Sequence, residues 1–293
     1  MASSLSVLSW NIGYAGLGAE SDFFKDGGKG VLPPSRRVVL KNLDGIKALI
    51  SAQDVDVFLL QEVSDNSPLS WWVPVRSEIE STLDGRRVRF DPDTFSRFLP
   101  GPLRIRHGLL TAVGAAAEID FAPLPPKEGW SIGPVRRAFG YQTARFFDDP
   151  RWVLINLHLS AFDDGDIRDR QLARVLEVAQ RHYQAGAHVV VGGDWNLILT
   201  QPGWPHTTDL EHLFWIRHFP IERLAEGWRI AADEKIPTVR TNQKPYVRGE
   251  NFTSTIDGFL VSPNVGIEAV QTIDTGFEHT DHMPVIGRFV AVA

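Results

Sequence analysis

Residues 189–196 read VVVGGDWN, an apolar run, two glycines, then an aspartate and an asparagine two positions apart. Other apolar runs lead into polar residues in the same manner. LSVLSW (5–10) runs into Asn11, and VDVFLL (55–60) runs into Gln61 and Glu62. WVLINLHL (152–159) carries His158, TIDGFLV (255–261) carries Asp257, and Asp281 and His282 stand before MPVIGRFVAV (283–292). Each has a plainer role open to it: Asn11 and Asp194 as turn formers, Glu62 as a solvated cap, His158 as a hydrogen-bonded core histidine. As a set they point to chemistry. Asn, Glu and Asp are hard oxygen ligands suited to Mg²⁺ or Mn²⁺. Two histidines serve proton transfer or hydrogen bonding to an anionic oxygen. Mg²⁺ is commonly held by one or two carboxylates together with substrate phosphate. The residue types therefore imply metal-assisted attack on a phosphate ester.

The elements that must position these residues follow from the apolar patterning. The runs above are short, rich in Val, Ile, Leu and aromatics, and bounded by polar or Gly/Pro punctuation, so they read as strands; GLLTAVGAA (108–116) is a further candidate. Ser35 can cap a helix whose Val39, Leu43, Ile46 and Ile50 form one apolar stripe. Leu172, Val175, Leu176, Ala179 and Tyr183 form a second stripe that Gly186 can end. Strands alternating with helices indicate an α/β protein. The Pro-rich patches at 123–126 and 202–205 lie between strands and read as loops, so residues 1–293 are read as one domain. Side chains two apart on a strand face alike, which places Asp194 and Asn196 on one side and Trp195 in packing on the other.

The chain has 293 residues, 43% of them hydrophobic and 23% charged, which is ordinary globular composition. Its formal net charge of −6 argues against attachment to nucleic acid by bulk charge, because such binding rests on many Lys and Arg contacts to phosphate. Cysteine is absent, which removes disulfides, thiolate metal sites and a cysteine nucleophile. The N-terminus, MASSLSVLSWN, has no basic region and no long apolar stretch, and the chain has no apolar run long enough for a membrane span. These features lead to an expected cytoplasmic location without stable membrane insertion.

The ordered series SWN (9–11), LLQEV (59–63), NLHLS (156–160), GGDWN (192–196), STIDGFLVS (254–262) and TDHMPV (280–285) resembles the endonuclease/exonuclease/phosphatase superfamily, which includes pancreatic deoxyribonuclease. FxxDGG and the NLHLSAFDDG segment resemble a bacterial branch of it. The resemblance implies a four-layer α-β-β-α sandwich of two packed mixed β-sheets flanked by helices, with the site at one end of the sheets. It implies Glu62 as principal metal ligand, Asn11 beside it, and Asp281 near the metal. His158 and Asn196 match groups that bind the scissile phosphate. Asp194 matches the residue that orients or deprotonates the attacking water. His282 matches the histidine at the reacting phosphate, with Asp257 behind it. Either Asp194 or His282 is then the base. Abasic-site endonucleases of the family carry an acidic residue where this chain has Gly13, which counts against that role. A mid-chain Tyr or acidic partner is also part of the pattern; Tyr141 lies in that region, where a core position is equally open.

The implied activity is a Mg²⁺- or Mn²⁺-dependent phosphoric ester hydrolase, a phosphodiesterase or phosphatase working by in-line attack of water. A small or lipid-linked phosphoester is favoured by the net charge. A DNA or RNA nuclease is the alternative, and an inactive binding module on the same fold is a remote one. The loop SDFFKDGGKGVLPPSRR (21–37), with Lys25, Lys29, Arg36 and Arg37, borders the site or is a solvated surface loop. Arg168 and Arg170 are phosphate contacts or exposed helix charges. In the stretch 202–220, Trp204, Phe214, Trp215 and Phe219 could stack on a base or touch lipid, while Leu210, Leu213, Phe214 and Ile216 suit a buried helix face.

Overall fold

The computed structural model describes all residues except 1–3, 97, 100, 115, 127–129, 133–134, 148, 150, 163–164, 202 and 293, and the side chains of 130–132. In chain order the strands and helices are β1 (Ser4–Asn11), α1 (Arg36–Ser51), β2 (Val57–Ser64), α2 (Val75–Thr82), β3 (Arg87–Ser96), β4 (Arg106–Val113), β5 (Ala117–Pro123), β6 (Trp130–Ile132), β7 (Val135–Arg137), β8 (Gly140–Phe146) and β9 (Trp152–His158). They continue with α3 (Asp166–Gln184), β10 (His188–Asp194), β11 (Arg229–Ala231), β12 (Val239–Arg240), β13 (Thr253–Ser254), β14 (Asp257–Val261), β15 (Val265–Thr272) and β16 (Val285–Ala291). Two large sheets result, ordered β15-β16-β1-β2-β4-β3-β7-β6 and β11-β14-β10-β9-β8-β5, with β12 and β13 forming a two-stranded ribbon. Both large sheets are mixed: β1–β2 and β9–β10 run parallel and the remaining pairs antiparallel. None of the described helices is long and apolar enough to cross a membrane.

The period-two alternation of the strands builds the layers. Leu8, Trp10, Phe58 and Leu60 turn outward and pack on Val39, Leu43, Ile46 and Ile50 of α1 and Ile79 of α2. Ile155, Val189 and Val191 of the second sheet turn outward onto Leu172, Val175 and Ala179 of α3. Val7, Val57, Leu59, Leu154, Val190 and Phe259 turn inward and meet between the sheets. This is the four-layer α-β-β-α sandwich. Each fully buried aliphatic side chain contributes roughly 1.5–3 kcal/mol to it. Ser35 caps α1 by accepting from the Val38 amide, and Gly186 follows α3 with φ +91°.

The inner faces change character along the strands. Beyond the apolar end, Gln61 donates to Asn156 Oδ1 at 2.8 Å, linking the two sheets. Asn156 Nδ2 donates to Thr111 Oγ1 (3.0 Å), Thr111 Oγ1 to Gln142 Oε1 (2.7 Å), and Gln142 Nε2 to Asp91 Oδ2 (2.8 Å). Next along the same inner faces come Asn11, His158 and Asp194. The site is where the polar end of the inter-sheet layer meets the cavity.

Two sequence readings are corrected, and the open choice for Tyr141 is decided. No helix forms over 210–216, only a short 3-10 turn at Leu210–Leu213; Leu210 and Phe214 are exposed, while Trp215 and Phe219 are buried. Arg168 is neither an exposed charge nor a cavity-lining group, because it is fully buried under the 194–196 turn. Tyr141 is a core residue packed in the layer under α3. The stretch 87–96 was not expected as a strand, since Pro92 interrupts it; a bulge between Pro92 and Thr94 accommodates that proline.

Candidate active site

Strand register assembles one row of the site. Asp257, Asp194 and His158 are direct Cα partners across β14, β10 and β9. Directly opposed residues face the same side of a sheet, so the three side chains converge. Asp194 Oδ2 lies 3.5 Å from His158 Nε2 and 3.7 Å from His282 Nε2, and accepts from Asn11 Nδ2 at 3.0 Å. Asp257 Oδ2 pairs with His282 Nδ1 at 2.9 Å. A carboxylate is an acceptor, so Nδ1 carries the proton and Nε2 faces Asp194.

The chain ends β10 by using Asp194 twice. Its Oδ1 accepts from the Asn196 amide at 2.9 Å, closing a side-chain-stabilised turn, while Oδ2 faces the site. Asn196 adopts φ +50° and donates Nδ2 to Leu159 O at 2.9 Å. Arg168 donates to Asn196 O, and to Trp215 O at 3.0 Å, supporting the turn from below. Asp194 and Asn196 both line the cavity, as strand alternation suggested, but a turn places Asn196 there, since the strand stops at Asp194. Trp195 is buried against Phe219 and donates to Gly258 O at 3.1 Å. The close pairing of β9 and β10 needs Gly193, whose φ is +148° and where a Cβ would lie 2.0 Å from Leu157 O.

The other wall comes from the first sheet. A bulge in β2, between Leu60 and Val63, puts Glu62 at φ +54° and into the cavity. Asn11 Oδ1 accepts from the Gly13 amide at 3.0 Å. A Cβ at Gly13 would approach Thr280 Oγ1 to 2.9 Å and Asp281 Oδ1 to 3.2 Å, so a side chain there would crowd Asp281. Asp281 accepts from Asn242 Nδ2 (2.6 Å) and Thr280 Oγ1 (3.2 Å).

These residues perturb one another. Burial, then the Asp281 charge, pushes the Glu62 carboxyl up to about 7. Burial raises Asp194 to about 6, against the opposing pull of His282. Burial pushes the His282 imidazolium down, but Asp257 and Asp194 outweigh it and hold the ring well above its usual value. His158 goes the other way: burial, then Arg137 and His282, depress it well below. One histidine is thus cationic and the other neutral at pH 7. Half-buried Glu62 and buried Asp281 line the cavity together with Asn11, and their oxygens are hard donors of the kind a divalent cation takes. Asp194, Asp257 and His282 also offer ligand atoms within 4.8 Å of one another, but the Asp257–His282 hydrogen bond already occupies two of those groups.

The eight residues singled out in the sequence lie together, and all but Asp257 line one cavity of about 290 Å³. Sequence reasoning missed others. Asp93 is the acidic mid-chain neighbour: its carboxylate oxygens lie 4.0 Å from His158 Nδ1 and 4.0 Å from His107 Nδ1. His107, Arg137, Tyr14 and Asn242 line the cavity. Asp93, His107 and Arg137 lie inside strands, and Tyr14 and Asn242 lie in loops just past β1 and β12, where no apolar run marks them. Of the basic residues in the 21–37 loop, Lys25 lines the cavity, whereas Lys29, Arg36 and Arg37 are exposed. Asp26 anchors that loop by accepting from Trp215 Nε1 (2.9 Å) and the Asn242 amide (2.7 Å).

A family model for the Endonuclease/Exonuclease/phosphatase family matches residues 8–282. No curated protein matches the chain. Solved structures with the same fold include an endonuclease/exonuclease/phosphatase from Bacteroides vulgatus, 14% identical, TM-score 0.61, covering 99% of each chain. Danio rerio TDP2 complexed with single-strand DNA product is 15% identical with a TM-score of 0.59, over 98% of this chain and 99% of that one. The human Nocturnin catalytic domain with bound sulfate is 17% identical with a TM-score of 0.56, over 99% and 95%. Members of the family are generally metal-dependent hydrolases of phosphoesters. The chain belongs to the Endonuclease/Exonuclease/phosphatase family.

Proposed function

We propose that the protein is a divalent-metal-dependent phosphoester hydrolase that acts on compact phosphoesters. The observation that carries this reading is the surroundings of Asp194 Oδ2, with Asn11 Nδ2, His158 Nε2 and His282 Nε2 at 3.0, 3.5 and 3.7 Å beside the carboxylates of Glu62 and Asp281. Glu62, Asp281 and Asn11 would hold Mg²⁺ or Mn²⁺, which would supply Lewis-acid polarisation of a phosphoryl oxygen. Asp194, ionised above about pH 6, orients the attacking water and takes its proton. His282, kept protonated by Asp257, donates from Nε2 to the oxygen that gains charge and is therefore not the base. Neutral His158 and the remaining N–H of Asn196 bind the other phosphoryl oxygens.

The cavity supports a compact substrate. The 21–32 loop lays Phe23, Phe24, Lys25 and Val31 along it, and about 290 Å³ is at the small end of ligand pockets. A second reading, hydrolysis at single-stranded nucleic-acid ends, draws on the DNA product bound to D. rerio TDP2 and on exposed Phe24 and Phe214 as stacking faces.

The test is hydrolysis of plasmid DNA, single-stranded DNA, RNA, sphingomyelin, an inositol polyphosphate and bis-p-nitrophenyl phosphate with Mg²⁺, Mn²⁺ or EDTA. Metal-dependent turnover of the small esters is expected, reduced at least ~10²-fold in Asp194→Ala. Turnover in EDTA, or near wild-type turnover in the variant, contradicts the reading. Preference for single-stranded nucleic acid selects the second reading.

A further inference from the structure

The cavity has a basic end that the reaction at Asp194 does not use. Arg137, Thr94 and His107 are direct partners across β7, β3 and β4, and all three line the cavity. Their side chains therefore form one row facing into it. The Arg137 guanidinium lies over the Phe139 ring, 4.5 Å from its centroid. Its buried Nε and Nη2 have no hydrogen-bond partner among the described residues, and neither does His107 Nδ1. Lys25 lines the same cavity from the 21–32 loop. Burial and the neighbouring Arg137 charge both hold the Lys25 ammonium below its usual value, so the two cations crowd each other. A half-buried guanidinium with two buried donor atoms unpartnered among the described residues is a natural place for an anion.

The backbone of this end stands away from the Glu62 strand, although the Arg137 charge still reaches Glu62 and His158. From β2, which carries Glu62, the sheet runs through β4 and β3 to β7. Three strand spacings of about 4.8 Å put the Arg137 backbone roughly 14 Å from the Glu62 strand. A phosphate at Asp194 would find donors there already in His158, His282 and Asn196, all of which line the cavity. Leu17, Val31 and Val135 supply apolar wall to the same cavity.

We propose that Arg137, Lys25 and His107 form a second anion subsite, which holds a phosphate group of the substrate other than the one being hydrolysed. This rests on the phosphoester-hydrolase reading of the Asp194 centre and narrows it to compact molecules that carry two phosphate groups joined by a partly apolar scaffold. Arg137 binds the second phosphate through a two-pronged, charge-assisted contact. Neutral His107 adds one donor, and Lys25 closes over it from the loop.

Two measurements test this. In the first, kcat/KM is compared for the p-nitrophenyl ester of thymidine 5′-phosphate with and without a 3′-phosphate. The wild-type ratio is expected to favour the doubly phosphorylated ester by at least ~10-fold, the scale of a charged hydrogen bond, and to fall to about 1 in Arg137→Gln. A ratio near 1 in the wild type, or one unchanged by the substitution, overturns the proposal. In the second, inorganic phosphate is titrated calorimetrically into the metal-free protein in EDTA. Binding is expected to weaken ~10-fold in Arg137→Gln and in Lys25→Met, whose loop position guards against a folding defect in the first variant. Equal phosphate binding by wild type and both variants overturns the subsite. Loss of phosphate binding in the variants, with no ester hydrolysed by the wild type, upholds the subsite and removes the hydrolase reading.

Discussion

Asp194 answers two demands with two oxygens. Oδ1 closes the turn through the Asn196 amide and Oδ2 faces the cavity, so a turn former and a cavity-facing carboxylate are the same residue. Glu62 carries the clearest testable consequence at this scale. Its carboxyl, raised to about 7 by burial and Asp281, must lose its proton before it can bind a cation. Protons and metal then compete, and affinity rises with pH until the carboxylate is fully formed. Calorimetric titration with Mn²⁺ is expected to give about tenfold tighter binding at pH 8 than at pH 6. An affinity that does not change between these pH values contradicts Glu62 as the principal ligand. The eight residues were legible because each stands at or beside the end of an apolar run, where a polar residue is conspicuous. Asp93 and Arg137 were not. Asp93 sits in a strand that Pro92 hides, and Arg137 in a three-residue strand without apolar alternation. Both are brought in by pairing between strands, which no local pattern encodes.

At the scale of elements, the site depends on how strands end. The β2 bulge turns Glu62 inward, and the turn after β10 presents Asn196; both residues take left-handed backbone that non-glycine residues occupy at a cost of order 1–3 kcal/mol. The surrounding hydrogen bonds must hold them there. Arg168 does so for the β10 turn from the first turns of α3, where a helical pattern places an arginine without saying that it is buried. Arg168→Met is expected to destabilise the protein by roughly 2–4 kcal/mol, because it leaves the Asn196 and Trp215 carbonyls unpartnered. Urea denaturation checks this, and a change below about 0.5 kcal/mol would place the support elsewhere. The long helices and central strands were legible from periodicity. Strands β5 to β8 were not: β5 is a partly exposed edge, β6 and β7 are three residues long, and β8 mixes Gln, Thr and Arg into its run. The 210–216 segment failed as a helix because its apolar residues divide between the core, which takes Trp215, and the surface, which keeps Leu210 and Phe214.

Across the whole molecule, the layer between the sheets passes from apolar through neutral polar to ionisable side chains. Val57, Leu59 and Leu154 at one end give way to the Gln61–Asn156–Thr111–Gln142 ladder, and that to Asn11, His158 and Asp194. The ladder ties the sheets together beneath the site, with Gln61 Oε1 as its one buried atom lacking a partner among the described residues, so the charged groups sit on a polar floor. Over that floor the Asp26-anchored loop lines the cavity with Phe23, Phe24 and Lys25. The family pattern in the sequence pointed to this architecture; the loop's closeness to the site was visible only as one of two readings. The central claim is metal-dependent attack of water on phosphorus, directed by Asp194. Its most direct test is hydrolysis of bis-p-nitrophenyl phosphate with Mn²⁺ in ¹⁸O-labelled water, with mass analysis of both products, for the wild type and Asp194→Asn. The account predicts one ¹⁸O atom in the p-nitrophenyl phosphate, none in the p-nitrophenol, and a rate at least ~10²-fold lower in the variant. Label in the phenol, or an unchanged rate in Asp194→Asn, would contradict it.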